Sequence, residues 1–472
     1  MRVLLVSTYE LGRQPINVAS PAAALLGAGH EVRCIDLAVE SWDPRRLAWA
    51  EAVAFSVPMH TAMRLAMGVA RMVRRERPTL PICFYGLYAP VSRDLTVGML
   101  ADRVIAGEYE PGLVGWVGDL VAGVDRSNGP ADPVILLGRG GFRVPARHLL
   151  PSLENYARLR IDGEERLAGS VEASHGCSHR CLHCPVPAIY AGRIRIVPLE
   201  VLLADVDRLV AEGARHITFG DPDFLNAPHH SMRVVRAVRS EFPEITFDVT
   251  VKVEHVLEHG DLWVELAASG CLFVVSAFET TNDAILARLD KGHTVSEAAE
   301  AVTLLRGSGV EVRPSFLPFT PWTSRDDLVE ILSFVVDQDL VANVDAVQYA
   351  IRLLIPEGSL LLSQGDLAPL LGAYDPEQLS YPWVSPDPGV DALSARLAEL
   401  VERGVAEEQS EEESFASIVE VVLAGAGRAS SRDRLRAPIS TRVAPRLTES
   451  WFCCAEPTVA QAARLSPAPV VP

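Results

Sequence analysis

Apolar runs of three to six residues recur along the first part of the chain, at 2–7, 32–37, 52–57, 82–85 and 104–106. Runs this short and rich in β-formers fit buried strands, and the stretches 21–26 and 62–75 between them fit helices. Strands alternating with helices build a parallel sheet covered on both faces. Residues 1–125 are therefore expected to form a doubly wound, flavodoxin-like α/β domain.

From 126 to 165 the pattern weakens into a Gly-, Pro- and Arg-rich connection. A second alternating series fills 166–384, with strands expected at 169–173, 216–219, 246–251, 273–277, 310–316 and 346–351, and helices such as 199–212 between them. Six βα units suit a partial (β/α)6 barrel of TIM type. The breakers Ser385-Pro386-Asp387-Pro388-Gly389 end it. A helical extension follows over 385–427, amphipathic near 392–404, with an acidic run at 407–413 that reads as solvated surface. Residues 428–472 form an irregular tail containing Trp451-Phe452-Cys453-Cys454-Ala455-Glu456-Pro457.

Composition narrows the function. A chain of 472 residues exceeds one ordinary core, and 49% apolar with 22% charged residues is a globular balance. The net charge of -18 argues against grip on nucleic acid or an anionic membrane, which leaves a small-molecule substrate. Neither a long uncharged apolar run nor a signal-peptide pattern stands out, so the reading is a cytoplasmic protein. Eight cysteines, three of them clustered, favour metal or redox chemistry over a disulfide framework.

The cluster is Cys177-Ser178-His179-Arg180-Cys181-Leu182-His183-Cys184, a C-x3-C-x2-C spacing in a loop after an expected strand. Three thiolates satisfy three irons of a [4Fe-4S] cluster and leave the fourth open to a small chelator. The amino and carboxylate groups of S-adenosylmethionine (SAM) suit that place. The alternatives are ordinary buried cysteines, or a zinc site, which normally completes four ligands and would draw on His175, His179 or His183.

These residues resemble the radical SAM superfamily, over roughly 167–382. The resemblance implies that Cys177, Cys181 and Cys184 hold a [4Fe-4S] cluster that reductively cleaves SAM. It also makes Phe219-Gly220-Asp221-Pro222-Asp223 a degenerate form of the glycine-rich motif whose backbone meets the SAM amino group, so Gly220 and Asp221 are expected contacts. The stretch from Ser276 through Glu279 to Lys291-Gly292-His293-Thr294 looks like the family's fourth-strand segment, with Glu279 as a polar SAM contact or, alternatively, a helix cap. Lys252 and Glu254 after the third strand, and Arg313 on the fifth, are similar candidates. His183 stands where the family usually carries Tyr or Phe beside the adenine; an imidazole still stacks, and adds a protonatable group.

Two further resemblances bear on substrate and cofactors. The stretches Ile82-Cys83-Phe84-Tyr85-Gly86-Leu87-Tyr88 and Val104-Ile105-Ala106-Gly107-Glu108-Tyr109-Glu110 look like the cobalamin-binding-type domain fused to many radical SAM enzymes. Residues 1–125 carry no Asp-x-His-x-x-Gly loop, so cobalamin is not expected, and a vestigial domain that closes the barrel is an equal reading. Cys34 and Cys83 read as small buried hydrophobes. In the tail, the neighbouring thiols of Cys453 and Cys454 suit a thiophilic centre such as trivalent arsenic, or a vicinal disulfide.

The run Cys453-Cys454-Ala455-Glu456-Pro457 resembles the tail motif of the CUAEP/CCAEP-tail radical SAM proteins, a family that includes an enzyme of arsinothricin biosynthesis. That resemblance implies a transferase that moves the 3-amino-3-carboxypropyl group of SAM to arsenite held by Cys453 and Cys454, giving hydroxyarsinothricin and 5'-methylthioadenosine. A reducing partner such as flavodoxin or ferredoxin is implied with it. The rival readings are a cobalamin-dependent radical SAM methyltransferase and a non-catalytic arsenic or metal sensor. Cys177→Ala is expected to abolish iron binding and SAM cleavage, whereas Cys454→Ala keeps the iron and loses arsenic-dependent product; iron assay and mass spectrometry check both.

Overall fold

The computed structural model describes residues 1–91, 99–124, 135–138, 141–425, 435, 443–449, 456–458 and 461. The expected tail thiols Cys453 and Cys454 lie outside the described residues.

Six strands, β1 (Arg2–Ser7), β2 (Glu31–Asp36), β3 (Ala52–Ser56), β4 (Ile82–Tyr85), β5 (Arg103–Gly107) and β6 (Ile135–Leu136), form one parallel sheet in the order β2-β1-β3-β4-β5-β6. Alternation along β1 explains why both faces are covered. Val3 and Leu5 join the core under helices Ile16–Gly27 and Tyr109–Val121, while Leu4 and Val6 join the core under helix His60–Glu76. Strand β6 comes from the segment read as connection. It lies so close to β5 that a side chain on Gly107, at φ +78°, would strike the Leu136 carbonyl.

The second domain begins with β7 (Arg158–Ile161) and β8 (Glu164–Val171), followed by the hairpin of β9 (Ser174–Gly176) and β10 (Ile194–Ile196). Then come β11 (His216–Phe219), β12 (Thr246–Thr250), β13 (Cys271–Glu279) and β14 (Glu311–Phe316), and finally β15 (Arg446–Leu447) from the tail. They form a curled seven-stranded sheet, β14-β13-β12-β11-β8-β7-β15, whose five strands β8 and β11 to β14 pair in parallel. Helices Leu199–Ala211, Pro228–Glu241, Val295–Gly307 and Arg325–Asp337 connect or cover them.

The sixth parallel strand expected at 346–351 is absent. Ala346–Tyr349 is a short 3-10 helix, and beyond β14 Phe319 and Arg352 alone form an isolated parallel bridge among the described residues. Side chains replace the missing ladder: the Phe316 amide donates to Gln348 Oε1 at 3.1 Å, and Asn343 Nδ2 donates to the Val312 carbonyl at 2.8 Å. The free edge of β14 is thereby satisfied without a strand. At the far edge β15 pairs antiparallel with β7. Arg313 of β14 reaches across to the Pro445 carbonyl at 3.4 Å, so the tail draws the two edges of the curled sheet together.

The amphipathic helix runs Pro388–Ala406, and a second helix spans Glu411–Gly425. Part of the acidic run is therefore a helix start, where Glu411, Glu412 and Glu413 suit the positive end of the helix dipole. Among the described residues no helix is long and apolar enough to cross a membrane.

The two domains meet at Arg147. Its guanidinium donates to Asp205 Oδ1 at 2.6 Å and Oδ2 at 2.8 Å, to the Ser170 carbonyl at 2.5 Å and to Gln14 Oε1 at 3.0 Å. Arg147 and Asp205 are 1% and 2% exposed, so neither charge has water to fall back on. Asp205→Ala strands a buried cation and is expected to destabilise the protein by about 3–5 kcal/mol, read by urea unfolding.

Candidate active site

The three clustered cysteines occupy the loop between β9 and helix Pro185–Tyr190, on the barrel's C-terminal rim beside the N-terminal domain. The hairpin that carries them is held from below and from the side. Asp221, just past β11, accepts the Ala173 amide at 2.8 Å and the Ser174 hydroxyl at 2.6 Å. Gly176 has φ +82°, and a side chain there would meet the Arg193 carbonyl and the Tyr190 ring. Ser178 donates from its amide (3.0 Å) and its hydroxyl (2.7 Å) to Asn226 Oδ1. The Leu182 amide donates to the Leu289 carbonyl at 2.9 Å.

The N-terminal domain supplies the third wall. Glu108, which follows β5, faces His175 Nδ1 at 3.2 Å and accepts from the Tyr190 hydroxyl at 3.2 Å; His175 Nε2 faces Glu172 at 3.1 Å. Burial pushes the His175 imidazole down, but bonds to Glu108 and Glu172 outweigh it and hold the ring well above its usual value. Cys177 packs in one cluster with Ala106, Val186, Ile189 and Tyr190.

Cys177, Cys181 and Cys184 are free thiols, and their donor chemistry fits an iron–sulfur cluster. The Cys184 thiol is pushed up to about 12, first by burial and then by Cys181 and Cys177, with the Val186 amide opposing. Three thiolates on one loop repel one another until a cationic centre accepts them.

On the barrel rim the structure gathers Glu279, His183 and Lys291. Glu279 ends β13 at φ +63°, beside a register shift against β14. Its Oε1 accepts from Lys291 Nζ at 2.7 Å and faces His183 Nε2 at 3.0 Å. Burial raises the Glu279 carboxyl, yet Lys291 and then His183 hold it well below the usual range. Burial, with Lys291 next to it, pushes the His293 imidazole down to about 4, so that ring is neutral at pH 7. Ser276 Oγ, Thr281 Oγ1 and His183 Nδ1 are buried without a hydrogen-bond partner among the described residues. Unsatisfied groups around a charged rim fit a polar ligand such as SAM.

Several of the expected SAM contacts also have partners within the protein. Asp221 is engaged by the hairpin base, and burial pushes its carboxyl up to about 7. Arg313 donates to Asp345 Oδ1 at 2.7 Å and to the Pro445 carbonyl at 3.4 Å. Lys252 Nζ donates to Glu254 at 2.9 Å and lies 3.3 Å from His179 Nδ1, which joins the third strand's end to the cysteine loop. Gly220 opens onto a cleft between the domains. The side chains that sequence reasoning passed over are Glu108, Asn226, Lys291 and Arg147; each works through a partner distant in the chain.

That cleft, of about 200 Å³, lies between the strand ends of the N-terminal sheet and the hairpin, and is lined by Glu10, Arg13, Met59, Leu87, Tyr109 and Gly220 among others. Glu10 Oε2 and Arg13 Nε are buried in it without a partner among the described residues. Burial, then the Glu172 charge, pushes the Glu10 carboxyl up to about 8. A corrinoid's amide-rich edge matches neutral Glu10 and Arg13 in this donor set, and its ring matches Met59 and Leu87. His175, the one imidazole on the cleft wall among the described residues, already faces two carboxylates. At this size the enclosed space takes one edge of a corrinoid rather than the whole.

Residues 171–335 match the radical SAM superfamily. A curated relative, the hopanoid C-3 methylase of Methylococcus capsulatus, is 25% identical over 350 residues, covering 68% of this chain and 64% of the methylase. The chain thus spans less than two thirds of that relative's length. The fold is that of OxsB, a cobalamin-dependent S-adenosylmethionine radical enzyme solved with aqua-cobalamin and SAM (15% identity, TM-score 0.67, 92% of this chain and 70% of that one). It is also that of TsrM from Kitasatospora setae, a radical S-adenosylmethionine methyltransferase (17% identity, TM-score 0.60, 84% and 88%).

Glu279 is charged in the folded protein to lower pH than in the unfolded chain, so its stabilising pairing is complete above its ordinary value of 4.5 and fades as pH falls further. Glu279→Gln is expected to lose this dependence: the stability gap to wild type, read by denaturant unfolding, narrows as the pH drops below 4.5.

Proposed function

We propose that this chain, whose residues 171–335 are a radical SAM domain, is a radical SAM transferase that delivers a methyl group from SAM to a small molecule, with a corrinoid seated between its domains. The observation that carries the reading is the cleft. The carboxyl edge of a parallel sheet is where ligands of such sheets bind, and here that edge faces the cysteine hairpin. The shared fold with OxsB and TsrM, and the similarity to a hopanoid methylase, support it. When bound, the cluster and SAM supply reductive cleavage and the corrinoid supplies a methyl carrier.

The chain's own residues orient and enclose. Asp221 and Asn226 fix the hairpin, and Glu108 fixes it from the other domain. Glu279 and Lys291 place a compensated charge pair beside the cysteines, ready for the zwitterionic end of SAM. Arg313 and β15 link the two edges of the barrel's open seam through the tail. Cys177, Cys181 and Cys184 are the cluster ligands, and a reducing partner of the flavodoxin or ferredoxin kind delivers electrons.

A second reading has its own observation. Glu456 of the Cys453-Cys454-Ala455-Glu456-Pro457 motif faces His60 Nε2 at 3.0 Å and accepts from Arg64 Nη1 at 2.7 Å, at the start of helix His60–Glu76. Met59, the preceding residue, lines the cleft. Glu456 is thus held at the cleft's edge, which favours a tail that presents arsenite through Cys453 and Cys454 for 3-amino-3-carboxypropyl transfer from SAM. Anaerobic incubation of reconstituted protein with SAM, dithionite and hydroxocobalamin, with and without arsenite, separates the readings by mass spectrometry. The first predicts S-adenosylhomocysteine and 5'-deoxyadenosine independent of arsenite. Arsenite-dependent 5'-methylthioadenosine with an organoarsenical would replace it with the second.

A further inference from the structure

Three metal-ligating side chains converge beside the cysteine loop without belonging to it. His179 Nε2 lies 3.2 Å from Asp223 Oδ2 and 3.3 Å from His255 Nδ1, and His255 Nδ1 lies 3.0 Å from the same Asp223 oxygen. They come from three elements: the cysteine loop, the turn after β11 and helix Val253–Glu258. Asp223 is 1% exposed, and its Oδ1 accepts the Leu225 amide at 2.9 Å, which fixes the carboxylate plane.

Hydrogen bonding alone does not satisfy this triangle. Each ring nitrogen carries one proton or one lone pair, so protons serve at most two of the three edges in any choice of tautomers. A cation at the centre serves all three. Donors held about 2.0–2.2 Å from a transition ion stand about 3 Å from one another, which is the spacing seen.

Around the triangle, His179 Nδ1 faces Lys252 Nζ at 3.3 Å and Glu254 Oε2 at 3.6 Å, and Glu258 and His259 bring ligand atoms within 4.8 Å of one on His255. Lys252 Nζ is paired with Glu254 at 2.9 Å, while the Lys252 amide donates to Asp223 Oδ2 at 3.2 Å. The Asp223 carboxylate faces the two imidazoles.

We propose that His179, Asp223 and His255 bind one divalent first-row transition ion of the Zn²⁺ or Fe²⁺ class, separate from the iron–sulfur cluster. Two imidazoles and one carboxylate favour these ions over Mg²⁺ or Ca²⁺. The ion pins the loop between Cys177 and Cys181 to the ends of β11 and β12, with its remaining positions filled by water.

Co²⁺ binding to reconstituted, desalted holoprotein tests this, followed by visible absorption and metal analysis alongside iron and sulfide per chain. Wild type is expected to take up one Co²⁺ with ligand-field bands and to release it to competing Zn²⁺. His255→Gln should weaken that binding at least tenfold while iron and sulfide stay unchanged, and His259→Ala should bind like wild type. Asp223→Asn, which keeps the acceptor for Leu225, is the second variant and should show the same loss. Absence of stoichiometric Co²⁺ in wild type, or equal binding by wild type and both ligand variants, overturns the site.

Discussion

The buried guanidinium of Arg147 is the constraint from which the rest of the arrangement follows. It lies between the two domains, bonded at once to Gln14 of the first, to the Ser170 carbonyl on the first parallel barrel strand and to Asp205 on the helix after it. A charge so placed resists either domain shifting, because a small displacement removes its partners while it is still shielded from water. The strand ends of one sheet are thus held against the rim of the other, and the cysteine hairpin is caught between them.

That enclosure explains the density of buried charge around the hairpin. Glu108, His175, Asp221, Glu279 and Lys291 each face a partner from another segment of the chain, and Glu172 faces His175 three residues on. The resulting rim is polar, compensated and shielded, a setting in which electrostatic interactions with a bound sulfonium amino acid are stronger than in water. Glu10 differs from this set: it is buried with one oxygen unpaired and is pushed up to about 8, so it meets the cleft as a neutral group.

Much of the fold was legible because it depends on local pattern. The apolar runs at 2–7, 52–57 and 216–219 became β1, β3 and β11, and the helix expected at 199–212 is Leu199–Ala211. The thiol spacing likewise declared itself. What escaped notice depends on partners far apart in the chain. Strand β6 has two residues and no periodicity of its own, β15 pairs with a strand almost three hundred residues earlier, and the apolar run at 346–351 yields to Gln348 and Asn343 side chains bonded to β14. Arg313 is a candidate SAM contact by resemblance alone, and its bonds to Asp345 and to the Pro445 carbonyl are long-range ones that a sequence does not show. The Asp221 side chain likewise bonds to the hairpin base, while its expected SAM contact is through the motif backbone.

The central claim is that the N-terminal strand ends and the cysteine hairpin form one cofactor site. Equilibrium dialysis of the reconstituted protein against hydroxocobalamin tests it most directly, with Leu87→Trp as the variant that fills the cleft wall. The account predicts one bound corrinoid per wild-type chain at micromolar concentration and a clear loss in the variant, with iron content unchanged in both. Wild type that binds no corrinoid under these conditions, or binds it equally well in the variant, would contradict the account.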